Sequence, residues 1–157
     1  MRLTDYSEYA LRVLIYLGIQ DNRLATIGEI STQYDISRNH LVKLVHDLGR
    51  NGFIKTFRGK NGGLSLGRDP ALISVGEVVR AMEKDMAIAE CFRPGDSTCR
   101  IVKSCALAGV IGRALDAFLG ILDQCTIADL IKPEYQLARA FPIDVWGGNG
   151  AVTAKQD

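Results

Sequence analysis

The chain has 157 residues, 47% hydrophobic and 24% charged, with a formal net charge of +1 and four cysteines. That length and apolar content support one domain, or a small domain with an appendage, and exclude a long disordered protein. Every uninterrupted apolar stretch is far shorter than the roughly 18 residues needed to cross a bilayer. The N-terminus carries Asp5 and Glu8 instead of a basic, apolar leader, which predicts a cytoplasmic protein. There thiols stay reduced, so four cysteines point to metal or redox chemistry before structural disulfides.

The small net charge conceals a split. Residues 1–70 hold 10 Lys/Arg against 7 Asp/Glu, net +3, and residues 71–157 hold 9 against 11, net −2. The front half is the one suited to face phosphates. Thr4 caps a first helix with Asp5 and Glu8 in its opening turn, and Tyr6, Tyr9, Ala10, Val13, Leu14 and Leu17 follow at helical spacing. After the polar Gln20-Asp21-Asn22-Arg23 break, Thr26 to Tyr34 forms a short helical segment with Ile27 and Ile30 inward, ended by Asp35. Ser37 starts the next helix, whose apolar set is Leu41, Leu44, Val45 and Leu48. Arg38, Asn39, His40, Lys43 and Asp47 are left on or near the other face. Two short helices joined by a tight turn predict a helix-turn-helix.

Gly52 breaks that helix. Phe53-Ile54-Lys55-Thr56-Phe57-Arg58 has strand composition, Gly59-Lys60-Asn61-Gly62-Gly63 is a turn, and Leu64-Ser65-Leu66 returns as a second strand. A hairpin after a recognition helix predicts a wing, with Arg58 and Lys60 at its base and tip, where cations reach a phosphate backbone or a narrow minor groove. Arg38 suits a guanine edge and Asn39 an adenine, Lys43 a phosphate, and Ser37 and His40 complete the candidate DNA-binding set. The competing reading of Arg38 and Asn39 is a solvated first turn. His40 and His46 are six apart and do not share a face as metal ligands.

Ser74 to Lys84 is helical, with Val75, Val78, Val79 and Met82 in register. Cys91, Cys99 and Cys105 follow around an Arg93-Pro94-Gly95-Asp96-Ser97-Thr98 loop. Thiolates this close in sequence converge on one soft metal centre at little loop-closure cost. A zinc knuckle, plain buried thiols, a Cys99–Cys105 redox switch or a cluster-free interaction module are the competing readings. Leu107, Val110, Ile111, Ala114, Leu115, Phe118, Leu119 and Leu122 form an apolar stripe over four turns. Residues 105–124 are therefore expected to be a dimerisation helix, against the alternative of packing within one subunit. Cys125, at its end, reads as a packed thiol. Thr126 to Ile131 makes a short helix stopped by Pro133, and residues 133–157 read as a loose tail with Trp146 as its one anchor. The chain lacks P-loop, G-x-G-x-x-G, G-x-S-x-G and H-E-x-x-H motifs, which argues against an enzyme. The expected architecture is mainly α with a small β-hairpin. A winged helix-turn-helix DNA-binding domain over 1–70 is followed by a cluster loop and dimerisation helix over 71–132.

Met1-Arg2-Leu3-Thr4, Ser37-Arg38-Asn39-His40, Arg58-Gly59-Lys60-Asn61-Gly62-Gly63-Leu64 and the three-cysteine loop together resemble the Rrf-type iron-sulfur winged-helix transcriptional regulators, from residue 1 to about 132. The resemblance implies a homodimer that binds a pseudo-palindromic operator in double-stranded DNA and changes affinity when its cluster is altered or lost. The recognition helix and wing are most similar to the family's nitric-oxide-sensing repressors. The C-x7-C-x5-C spacing also occurs in its iron-responsive members, so iron sensing is the alternative. The resemblance makes Cys91, Cys99 and Cys105 the cluster ligands and favours 4Fe-4S over 2Fe-2S. Nitric-oxide sensors place an aspartate from the partner subunit at position 8. Here that position is Glu8, a carboxylate one methylene longer and the candidate fourth ligand. Another branch uses a histidine three residues after the third cysteine, where this chain has Ala108.

Overall fold

Thr4 caps the first helix as its sequence predicts: in the computed structural model its hydroxyl accepts from the Ser7 amide at 3.4 Å, and α1 runs from Asp5 to Ile19. The structure describes residues 2–20, 23–93, 95, 98–101 and 104–132. The expected tail with Trp146, the Pro133 stop, and Pro94, Asp96 and Ser97 of the cysteine loop lie outside them. Ala10, Val13, Leu14 and Tyr16 are fully or almost fully buried, which makes α1 the central brace. The helices that follow lean on it.

The second helix, α2 (Ile27–Tyr34), opens with a capping box in which Thr26 and Glu29 each accept from the other's backbone amide; two orphan N–H groups are thereby satisfied. Asp35 ends α2 in a left-handed conformation, φ 52°, which an aspartate tolerates better than most residues. Ile36 plugs the turn, 3% exposed. The third helix, α3, runs from Arg38 to Arg50 and buries Leu41, Leu44, Val45 and Leu48, the four residues its periodicity selects. At about 1.5–3 kcal/mol for each fully buried aliphatic side chain, this face fixes the roll of α3 and thus which side meets solvent.

Strands β1 (Ile54–Phe57) and β2 (Gly63–Leu66) pair antiparallel, Ile54 opposite Leu66 and Phe57 opposite Gly63. The strands are shorter than their composition suggests, because Phe53 leaves the hairpin to enter the core, 1% exposed. Gly62 is required by space: a Cβ there would lie 2.2 Å from the Phe57 carbonyl oxygen. Ala25 bridges to Leu64 through two backbone hydrogen bonds of 3.0 and 2.7 Å, a tie between helix-turn-helix and wing that has no pattern of its own in the sequence. The result is a winged helix-turn-helix.

Helix α4 (Val75–Met82) is capped by Ser74, and α5 (Ala106–Asp123) and α6 (Ile127–Ile131) complete the described elements after a 3-10 turn at Pro70–Leu72 and another at Glu90–Phe92. Ile73, Val78, Met82 and Ile127 share a core with residues of α1, α3 and the wing, so apolar packing is continuous across residue 70. The apolar stripe of α5 divides. Leu119 is buried with Val75 and Val79, and Leu115, Phe118 and Leu122 pack around them; that half is covered within the protomer. Leu107, Val110 and Ile121 are 64%, 52% and 68% exposed, and Ala114 and Ala117 lie exposed between them.

Gly76 lets α4 approach the end of α5. A Cβ there would meet Asp123 Oδ1 at 2.1 Å and its backbone nitrogen at 3.0 Å, where Asp123 receives a bidentate pair of 2.6 Å hydrogen bonds from Arg80. Gly76→Ala is expected to lower unfolding stability by about 1–3 kcal/mol, the cost of overpacking, measurable as a reduced urea midpoint at unchanged slope.

Candidate functional site

Two groups of residues carry the chemistry, one at each end of the chain's path. The first is the outer face of α3. Ser37 is its N-cap but makes no side-chain capping bond, and Ser37, Arg38, Asn39, His40 and Lys43 are all exposed. Asn39, His40 and Lys43 line a hollow of about 250 Å³ against Asp5, Tyr6, Tyr9 and Leu44. Arg38 lies over Gly28, where an added Cβ would stand 3.0 Å from its guanidinium. In the wing, Arg58 and Lys60 are exposed in the turn after β1. His46 is a surface residue, 3.4 Å from the Asp47 carboxylate.

The wing is anchored at its base. Arg68 stacks its guanidinium 5.1 Å from the centre of the Phe53 ring and pairs with Glu77 of α4 at 2.9 Å. The cations at the tip thus project from a braced hairpin.

The second group is the cysteine loop. Glu90 accepts from the Thr98 amide at 2.9 Å and from its hydroxyl at 3.0 Å. Those contacts hold the Glu90 carboxyl below the usual range. Glu90 and Thr98 each precede a cysteine, so this clasp draws together the two strands of chain that carry Cys91 and Cys99. Cys105 is the N-cap of α5 and makes no side-chain capping bond, which puts its sulfur at the positive end of the helix dipole. Phe92 rests on the second turn of the same helix, 3.7 Å from where a Gly112 Cβ would stand. Cys91 and Cys105 are half-buried thiols and Cys99 is exposed. Among the described residues no three His, Cys, Asp or Glu side chains are already assembled as a metal site. The donor chemistry nevertheless fits an iron-sulfur cluster: three soft sulfur donors within fifteen residues, two of them next to the clasp.

Glu8 is exposed on α1 and pairs with Arg12. Arg12 in turn lies 5.9 Å from the ring centres of both Tyr9 and Tyr34. Burial pushes the Tyr34 phenol up to about 12, so it stays neutral beneath that cation.

Sequence reasoning missed two hydrogen-bonded ties from the start of α1, one to the end of α4 and one to α3. Glu83, just beyond α4, accepts from the Thr4 amide at 2.9 Å, the Thr4 hydroxyl at 3.1 Å and the Ser7 hydroxyl at 2.6 Å. From the same turn, Tyr6 donates to Asp47 of α3 at 2.5 Å. These partners are 76 to 79 and 41 residues apart, and no local pattern announces them. Burial and then the Asp47 carboxylate push the Tyr6 phenol up; the Tyr6 hydroxyl holds Asp47 below the usual carboxylate range. An acid whose folded pKa is lowered stabilises above its unfolded value, and a phenol whose folded pKa is raised stabilises below its own. The bond therefore contributes fully between about pH 4 and pH 10 and fades on either side. Tyr6→Phe is expected to cost about 1–2 kcal/mol at pH 7, with the difference from wild type shrinking in urea titrations as pH falls below 4.

The fold and the cationic outer face of α3 define a DNA-binding winged-helix transcriptional regulator. The profile of the Rrf2 family, described as an iron-dependent transcriptional regulator, matches residues 3–133, and the chain belongs to that family. It is 45% identical over 132 residues to the HTH-type transcriptional regulator NsrR of Bacillus licheniformis, which covers 83% of this chain and 92% of that protein. It is also 45% identical over 133 residues to NsrR of Bacillus subtilis, covering 84% and 91%. Among solved structures, CymR, the global cysteine regulator of B. subtilis, is 26% identical with a TM-score of 0.66 over 83% of this chain and 95% of its own. IscR of T. potens superposes with a TM-score of 0.71 over 93% and 97%; at 20% identity it shows the shared fold alone. Transcriptional regulation, not enzymatic catalysis, is the activity these relatives carry. No helix among the described residues is long and apolar enough to cross a membrane.

Proposed function

We propose that the protein is a homodimeric repressor that binds a pseudo-palindromic operator and senses nitric oxide through an iron-sulfur cluster, 4Fe-4S in preference to 2Fe-2S. Cys91, Cys99 and Cys105 are its protein ligands and Glu8 of the partner subunit is the fourth. The observation that carries this reading is the Glu90–Thr98 clasp, which ties together the residues just before Cys91 and Cys99, with Cys105 following as the N-cap of α5. The likeness to NsrR proteins supplies the signal. The exposed Leu107, Val110, Ala114, Ala117 and Ile121 recur at three- and four-residue steps, the spacing of a two-helix seam, and support a dimer through α5.

When bound, the cluster supplies iron that reacts with a small diatomic molecule at its weakly held carboxylate position. The protein's own groups do the rest. The three cysteines would hold the loop to the cluster, and Glu8, paired with its own Arg12 in this structure, would be the carboxylate that reaches it across the dimer. Glu8 shares the first turn of α1 with Tyr6 and Ser7, next to the Thr4 cap, so a pull on it from the partner subunit would be felt by their contacts. Glu83 and Asp47 carry that change to the base of the cysteine loop and to α3. Ser37, Arg38, Asn39, His40 and Lys43, with Arg58 and Lys60 of the wing, are then no longer aligned on two half-sites.

Anaerobic purification with a visible spectrum and operator binding before and after nitric oxide tests this reading. A brown protein that releases DNA on nitrosylation supports it. A brown protein that holds DNA under nitric oxide and releases it on iron chelation establishes the iron-responsive alternative, which the family's iron-dependent description favours. A colourless protein overturns the cluster and leaves zinc or thiol chemistry.

A further inference from the structure

The α3 face contains one residue that neither its polar chemistry nor the core explains. Val42 is 56% exposed, although its neighbours Leu41, Leu44 and Val45 are buried. A β-branched side chain gains nothing in helix propensity over Ala, and exposed to water it gains nothing from burial. Residues 38, 39, 42, 43 and 46 recur at one- and three-residue steps and share one face of the helix, so Val42 is ringed by Arg38, Asn39, Lys43 and His46, all exposed. A protein partner would require a contiguous apolar patch; a single aliphatic group set among hydrogen-bond donors matches a different surface. The floor of the major groove offers acceptors on guanine and adenine and, at thymine alone, a methyl group.

We propose that Val42 is a specificity residue that reads a thymine through its C5 methyl group, between the bases read by Arg38 and Asn39. The inference rests on the operator-binding reading and adds a contact made by shape and apolar surface where the others are made by hydrogen bonds. Deoxyuridine presents the same hydrogen-bonding edge as thymidine without the methyl, so the two differ only in the group Val42 would touch.

The test uses the full chain, purified anaerobically and loaded with iron, and a duplex enriched by it from randomised DNA. Each thymidine is replaced in turn by deoxyuridine. Wild type is expected to lose about four-fold in affinity at one position per half-site, the effect of withdrawing one methyl from an apolar contact, and nothing elsewhere. Val42→Ser is expected to bind the thymidine and deoxyuridine duplexes equally at that position. Its thermal unfolding and its affinity for unrelated duplex should remain those of wild type, since Val42 is not in the core. Wild type indifferent to every replacement, or Val42→Ser retaining the methyl preference, overturns the inference and leaves the operator reading intact. Failure to enrich any duplex overturns the operator reading, and the inference falls with it.

Discussion

Single replacement of Cys91, Cys99 or Cys105 by Ser is expected to abolish the iron-sulfur chromophore and the response to nitric oxide together, whereas Cys125→Ser keeps both. A thiolate is a soft, strongly bound iron ligand, and a serine hydroxyl does not deprotonate near neutral pH. The proposed ligand set has only three cysteines and no spare. Even a partner one step removed from a metal changes affinity by roughly 10- to 100-fold when lost, so a ligand should cost more. Cys125 behaves differently because its place is in the packing: it sits beside Leu122 and Leu130 in the smaller apolar cluster, and its carbonyl accepts from the Val75 amide at 2.8 Å. Visible absorbance, iron and sulfide per chain check this directly. A fully brown Cys99→Ser protein would remove Cys99 from the ligand set.

Arg38→Ala is the second large effect. A bidentate contact to a guanine edge discriminates by about 1–3 kcal/mol, roughly five- to 150-fold, and the variant should lose that much on its operator while binding unrelated duplex as before. Lys43→Ala should weaken all duplexes alike and reduce the salt slope by about one. Fluorescence anisotropy over a salt series separates the two. Arg38 rests on α2 in the structure, where Gly28 leaves room for its guanidinium. The far end of a flexible side chain yields cheaply, so Gly28→Ala should have a smaller effect than removing Arg38 itself.

What could be read from the chain alone was what local rules govern. Thr4 announces a helix start by capping chemistry and caps in the structure; Thr26, Ser74 and Thr126, where the expected segments begin, cap as well, whereas Ser37 starts α3 without a side-chain capping bond. Leu41, Leu44, Val45 and Leu48 announce a buried face by period. The stripe of α5 shows where this stops. Periodicity finds apolar residues but does not name what covers them, and Leu115, Phe118, Leu119 and Leu122 prove to lie against α4 of the same protomer, with the outward face falling to Leu107, Val110 and Ile121. Of the candidate site, the cysteines and the cationic face were visible because residue type and spacing mark them. The Glu83 and Asp47 contacts were not, since a carboxylate forty or eighty residues from its partner leaves no trace in composition.

The Glu83 clamp also governs how the protein should be handled. It holds the Thr4 amide at the end of α4, and Arg2 lines both a groove of about 920 Å³ with Lys43, Asp47 and Arg50 and a smaller hollow with Met86, Ile88 and Phe118. Residues placed ahead of Arg2, an affinity tag for instance, would start within reach of the recognition helix. A polyhistidine leader there would crowd the DNA face and offer stray imidazoles to iron during reconstitution, so binding constants and metal counts taken with such a leader attached would describe the leader as much as the protein.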